Sequence, residues 1–292
     1  MNRIFVTLGQ LACVSVLAAT ASATTLIVTQ TTDGTALATA LGGGGGLTID
    51  SASVTNGAAS QSGTYTGFTS PPVTTGDGVV LSTGKVVDTT ADSYSFLNFP
   101  STNTGASGTP EFDAYGPGHI SSFGGSNDVA ALMVHFTLSS DSQVGFDFIF
   151  GSVEYPTFIG SFTDSFLAFL DGTAVADQIV FDASNQAVQV GSTFSSALTT
   201  EDTNSAFADP HGLLQLQTFT NTLSAGSHTI IFEVGDVNDH LLDSAVFLSK
   251  LHAGPGPIGT ASSVPEVPEP GTLALFGIGL GGLIAGRRRK KP

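Results

Sequence analysis

The chain has 292 residues, of which 24 are acidic, 8 basic and 36 glycine, with no tryptophan, and this length allows one or two domains with a substantial core. Charged residues are 11%, well under the roughly 25% of an ordinary soluble domain, and a positive mean hydropathy excludes a solvated, disordered chain. The acidic excess excludes nucleic acid as a partner, because neutralising phosphates takes clustered Lys and Arg.

Met1, Asn2 and Arg3 make a short positive start, followed by an apolar run from Ile4 to Ala19 and then Ala21-Ser22-Ala23. This is the pattern of a secretory signal over residues 1–23, cleaved after Ala23, with Ala21 and Ala23 as the small cleavage-site residues and a mature start near Thr24. An uncleaved anchor is the alternative, although the run is short for a span. Cys13, the sole cysteine, lies in this segment with Gln10 where a lipoprotein signal wants an apolar residue. The mature chain then has no disulfide, and an exported fold without one rests on its core and on any metal it binds.

Residues 24–252 read as one β-rich domain. Asp33 can cap a short helix from Gly34 to Leu41, with Leu37 and Leu41 on one face and Gly42–Gly46 ending it. Strand-like runs follow at Leu47–Val54, Gly78–Ser82 and Val129–Leu138. In Gln143–Gly151, Phe146, Phe148 and Phe150 alternate with Asp147 and Ile149, so the three phenylalanines share the inward face, with Phe232 and Phe247 expected nearby. Further runs are Ser165–Leu170, Gln178–Phe181, Leu213–Thr220, His228–Gly235 and Ser244–Leu251. Asp88–Asn127 reads as a long surface excursion. Short strands without long helices predict an all-β fold, an antiparallel sandwich or jelly-roll with one short N-terminal helix. In this body 22 acids face only Lys85 and Lys250, a net charge of −20.

A Pro/Gly/Ser linker spans 253–267. The tail, 268–292, has three parts: Pro268-Glu269-Pro270, an apolar helix-forming stretch from Thr272 to Gly286, and the basic cluster Arg287, Arg288, Arg289, Lys290 and Lys291. Fifteen residues in a helix span roughly 22 Å, short of the roughly 30 Å hydrocarbon core, and the basic end should stay cytoplasmic. The tail resembles the PEP-CTERM sorting signal of Gram-negative bacteria. That resemblance implies transient inner-membrane insertion, processing by an exosortase, and delivery to the cell surface or an exopolysaccharide matrix. Gly277, Gly279 and Gly282 match a dinucleotide fingerprint but lack its strand and its ribose-binding acid.

Within the body, Phe146-Asp147-Phe148-Ile149-Phe150-Gly151-Ser152-Val153-Glu154-Tyr155 precedes Thr163-Asp164-Ser165-Phe166, and Asp236-Val237-Asn238-Asp239-His240-Leu241-Leu242-Asp243-Ser244 comes later. With Gly78-Val79-Val80-Leu81-Ser82-Thr83-Gly84 upstream, these motifs resemble the choice-of-anchor L domain, a bacterial surface module found with alternative C-terminal anchors. Val153 stands where that family usually has an acid or polar residue, which leaves Glu154.

Two readings of the acids stay open. Asp236, Asp239 and Asp243 in one tight connection, with Glu154 and Asp164 flanking another loop, offer hard oxygen ligands suited to Ca2+; alternatively they cap turns through Asx hydrogen bonds. Asp209-Pro210-His211-Gly212 is a turn. His240 sits among aspartates and can pair with one, while His135 reads as a structural or surface residue. Glu154 with Asp164 has the composition of a glycosidase pair, and Tyr65, Tyr94, Tyr115 and Tyr155 could stack on sugars. No nucleophile elbow, zinc motif or P-loop is present. The expected function is that of a non-enzymatic exported surface or biofilm-matrix protein, with a carbohydrate-binding module for exopolysaccharide as the alternative and a polysaccharide-active enzyme as a third.

Overall fold

A computed structural model describes residues 25–70, 73–90, 99–182, 184–192, 203–207 and 212–255. The signal segment, the tail with its apolar helix, Tyr94 and the turn at 209–211 lie outside the described residues.

Among the described residues eleven strands, β1 (Ile27–Gln30), β2 (Leu47–Asn56), β3 (Ser62–Ser70), β4 (Val73–Ser82), β5 (Ser126–Leu138), β6 (Val144–Ser152), β7 (Ser165–Leu170), β8 (Val188–Gln189), β9 (Gly212–Phe219), β10 (Gly226–Val237) and β11 (Ser244–Ala253), form two sheets. The first runs β1-β3-β4-β11-β6-β9 and the second β2-β5-β10-β7-β8. Every strand pairing is antiparallel, which is the sandwich that the sequence pattern predicts. Among the described residues the helices are short: α1 (Gly34–Leu41), α2 (Pro110–Tyr115) and three-residue or four-residue 3-10 turns.

Helix α1 forms as its sequence dictates. Asp33 accepts from the N–H groups of Thr35 and Ala36, Leu37 and Leu41 are buried, and Gly42 closes the helix at φ +91°, a conformation that glycine adopts without steric cost.

The inner faces of the sheets meet in one core. Phe146, Phe148 and Phe150 of β6 pack with Phe166 of β7, Phe136 of β5 and Phe232 of β10. Phe146 meets Phe232 edge-on at 5.0 Å between centroids, and Phe148 meets Phe166 at 5.0 Å. The outer faces are covered too. Tyr65, Phe68, Ile149 and Phe247 form a second cluster, and Phe112, Tyr115, Leu167 and Phe169 a third. Coverage on both sides explains why every residue of β6 is buried.

Three expectations are corrected. Phe247 does not join Phe146, Phe148 and Phe150: it pairs in register with Ile149, and directly opposed residues project to the same face, so it belongs to the outer cluster. Gln178–Phe181 is not a strand; only the bridges Phe169–Gln178 and Phe181–Ala187 form there, after a 3-10 turn at Val175–Asp177. The segment Asp88–Asn127 is not wholly a surface excursion. Its α2 is capped by Thr109 and buries Phe112 and Tyr115 against the second sheet.

Candidate functional site

At one end of the sandwich the strand termini of both sheets converge. Strands β4 and β6 end there at Ser82 and Ser152 and β11 starts at Ser244; from the second sheet, β10 ends at Val237 and β7 starts at Ser165. The connections carry Thr83, Glu154, Asp164, Asp239 and Asp243, and Asp236 is the last residue but one of β10. Glu154, Asp164, Asp236 and Asp243 are buried, each 2% exposed or less; Asp239 is partly exposed.

Asp164 is the fixed point. One carboxylate oxygen accepts the Val237 N–H at 3.1 Å and the other the Ser244 hydroxyl at 2.7 Å. Glu154 and Asp236 both lie within hydrogen-bond reach of it. Asp236 is also bonded by the Thr83 hydroxyl, and Thr83 Oγ1 accepts the Ser244 N–H at 2.9 Å. Asp243 is turned the other way. Its Oδ1 accepts the Thr102 N–H at 2.7 Å, and its Oδ2 fills the space beside Gly84, where a Cβ would lie 1.8 Å from that oxygen. Any side chain at 84 would push the Asp243 carboxylate out of this seat.

Burying so many carboxyls disfavours their charged forms. Burial first, then the charges of Asp164 and Asp239, pushes Glu154 up to about 10. Burial raises Asp164 to about 7 against the hydrogen bonds from Ser244, Val237 and Asp236 that favour its charge. Asp236 is held well above the usual carboxylate range by burial and then by Asp164. Asp243 is raised to about 7 by burial, with the Thr102 N–H opposing and Asp88 and Asp128 adding to it. Burial raises Asp239 as well, against the Leu241 N–H and His240.

The structure thus brings Glu154, Asp164, Asp236 and Asp239 together and sets Asp243 to one side. Turn capping describes only Asp239 among them, whose Oδ1 accepts the Leu241 N–H at 3.3 Å. Asp164 and Asp243 accept from residues distant in sequence. Three buried carboxylate oxygens, Glu154 Oε2, Asp236 Oδ1 and Asp243 Oδ2, have no hydrogen-bond partner. Among the described residues no group of three or more His, Cys, Asp or Glu side chains is arranged to hold a metal ion as it stands. A cavity of about 350 Å³ opens onto Glu154 and Asp239 between Ser101, Phe158, Phe162, Leu241 and Leu242.

Glu154 and Asp164 are poorly placed as glycosidase partners. Their carboxyls sit within hydrogen-bond reach, and Asp164 is fully buried, whereas such pairs need about 5 Å or more with the scissile bond between them. Sugar stacking on Tyr65 and Tyr115 is corrected, since they are 1% and 3% exposed in the outer clusters. Tyr155 is half-buried and packs against the core. His240 does pair with an aspartate, Asp128 at 3.0 Å, and His135 sits on the surface bonded to Thr229 at 2.9 Å.

Gln61 and Asp128 support the site without having been singled out by the sequence pattern, and Thr83 and Ser244, which lie within the quoted motifs, support it without having been given a role there. The buried Gln61 donates through Nε2 to the carbonyls of Ser82, Thr83 and Asp128 at 3.1, 2.9 and 2.6 Å, and its Oε1 accepts the Ala58 N–H at 2.7 Å. One side chain therefore fastens the β4 end to the β5 start. Gln61→Leu removes these four bonds and a fifth, from the Thr104 hydroxyl to Oε1 at 3.0 Å, and leaves buried groups unpaired, so a loss of about 2–3 kcal/mol is expected. Denaturant unfolding checks this, and a loss under about 0.5 kcal/mol would show that the clasp is dispensable.

The Choice-of-anchor L domain model matches residues 26–252, and the PEP-CTERM protein-sorting motif matches residues 266–290. No curated protein matches the chain. The sorting motif with the anchor-type domain makes this an exported, cell-surface-associated protein, and the motif implies processing by an exosortase. The chain belongs to the choice-of-anchor L family and carries a PEP-CTERM sorting signal.

Proposed function

We propose that this protein is a non-enzymatic structural component of the bacterial cell surface or extracellular matrix, handed over by its tail and retained as a folded acidic β-sandwich. The observation that carries the reading is the pairing of a family domain over 26–252 with a sorting motif over 266–290. The site supports it: the acids that could have formed a hydrolytic pair are buried against each other, and two of the four tyrosines that could have stacked on sugars, Tyr65 and Tyr115, are core residues. Association with exopolysaccharide follows from the destination that the tail implies. Inner-membrane insertion through Thr272–Gly286 is transient, with Arg287, Arg288 and Arg289 on the cytoplasmic side.

Mass spectrometry of surface and secreted material tests the route. The expected mature chain starts near Thr24 and lacks Arg287–Lys291. Finding the full-length chain in the cytosol would overturn it. A glycan array separates the structural role from the carbohydrate-binding alternative, because strong selective binding to one glycan would favour the module. Turnover of a polysaccharide that disappears in Glu154→Gln would overturn the non-enzymatic reading.

A further inference from the structure

The acids at the strand-end junction leave two carboxylate oxygens in an unusual position. Glu154 Oε2 and Asp236 Oδ1 are buried, each on a residue 1% exposed, and neither accepts an N–H or hydroxyl hydrogen bond. Both residues lean on Asp164, whose own oxygens are occupied by Val237 and Ser244. A buried carboxylate oxygen left unpaired costs its full desolvation penalty. Among the described residues little basic charge compensates: Lys250 pairs with Asp147, Lys85 lies on the Asp243 side, and His240, paired with Asp128, reaches only Asp239 at the mouth. A path also leads in, since the cavity walled by Phe158, Phe162, Leu241 and Leu242 ends on Glu154 and Asp239.

We propose that Glu154, Asp236 and Asp239 form a binding site for a divalent cation of the calcium class, entered through this cavity, with Asp164 as the hydrogen-bonded support between them. The donor chemistry selects the ion. All the proposed ligand oxygens are carboxylate, with no sulfur or imidazole donor among them, and the last ligand lies on an irregular connection that can adjust. Ca2+ accepts six to eight oxygens in flexible geometry, and water entering by the cavity completes its shell. Mg2+ demands a tighter octahedron. The side chains do not yet surround one point, so uptake draws Asp239, held through Oδ1 by one 3.3 Å bond from Leu241, inward toward the unpaired oxygens. Asp243, committed to Thr102 and Gly84, stays outside the site. Extracellular modules bind Ca2+ at roughly 10⁻⁴–10⁻³ M, and this exported domain should fall in that range.

The test is calorimetric titration of the full chain with calcium chloride, together with melting in millimolar calcium or in chelator. Calcium is expected to raise the Tm, and chelator to reverse the rise. Asp239→Asn, at the partly exposed mouth, should weaken binding at least tenfold while leaving the Tm in chelator unchanged. Asp236→Asn should abolish the calcium response and leave the chelator Tm nearly unchanged, because the amide keeps the carboxyl's size and its bonds to Thr83 and Asp164. Absence of binding heat with equal Tm in calcium and chelator would overturn the proposal. So would a calcium response that survives both substitutions, which would mark general screening of the acidic surface, or an equal response to magnesium chloride. If Asp236→Asn fails to fold, Asp239→Asn alone decides between site and surface.

Discussion

Phe148→Ala is expected to destabilise the domain by about 3–5 kcal/mol, the range for truncating a fully buried phenylalanine. In a domain of this size that lowers the Tm by roughly 6–20 °C. Phe148 is 0% exposed at the centre of β6, between Phe146 at 6.0 Å and Phe166 at 5.0 Å, with Leu248 opposite it in register. The two sheets are clamped here by strands that cannot both move inward, because each is also packed on its outer face. The cavity therefore cannot collapse cheaply, which places the cost above that of the lost transfer energy alone. Ile27→Ala, at a residue 58% exposed on β1, is the control and should stay within about 0.5 kcal/mol. Thermal and denaturant unfolding of both variants measures the difference, and a cost below about 1 kcal/mol for Phe148→Ala would contradict this core.

The face of Phe148 is legible from sequence because Phe146, Phe148 and Phe150 alternate with a glycine, an aspartate and an isoleucine. The face of Phe247 is not. Residues 244–251 read Ser-Ala-Val-Phe-Leu-Ser-Lys-Leu, and a run apolar at adjacent positions carries no period to separate its two sides; only the register with Ile149 does so. Strand β3 was hidden for the opposite reason. Its residues are mostly Ser, Thr and Gly, which pattern reading assigns to loops. Thr64, Thr66 and Thr69 are partly or wholly exposed, while Tyr65 and Phe68 supply the packing.

The carboxylates of the candidate site were legible as residues because Glu154, Asp164, Asp236, Asp239 and Asp243 all fall at the ends of apolar runs. Their division was not. The turn of Asp243 away from Asp164 depends on a glycine 159 residues upstream at position 84, with the carboxylate seated where its Cβ would be. The clasp by Gln61 depends on carbonyls of Ser82, Thr83 and Asp128 that only the folded sheets assemble. Asp128 itself adopts φ +45° and receives Thr104 at 2.6 Å and the Ala106 N–H at 2.9 Å. Such polar assemblies have no local sequence period, since each partner comes from a different element.

Glu233→Gln is expected to stabilise the protein in alkaline solution and to leave it nearly unchanged in acid. Glu233 lies mid-strand on β10, 0% exposed, in register with Ala131 and Leu167 and beneath α2. Its Oε2 accepts the Thr109 hydroxyl at 3.1 Å, and its Oε1 has no partner. Burial first, then Glu111 and Asp113 on α2, pushes its pKa from 4.5 to about 8, with Thr109 opposing. A carboxyl raised in the folded state gives its full stability below the unfolded value and loses it as pH rises through the folded one, because the native state holds the extra proton. The window for this group is therefore about pH 4.5–8 and just above. The complete move caps the loss at roughly 5 kcal/mol, and local relaxation brings the expected value to about 2–4 kcal/mol at pH 9. Glutamine keeps an oxygen for Thr109 and presents an amide to Glu111, so it removes the charge without emptying the space. Denaturant unfolding of both proteins at pH 5, 7 and 9 should give curves that coincide in acid and diverge in base. Parallel curves would mean that Glu233 ionises without cost, which requires α2 to lift and admit water to the outer face of the second sheet.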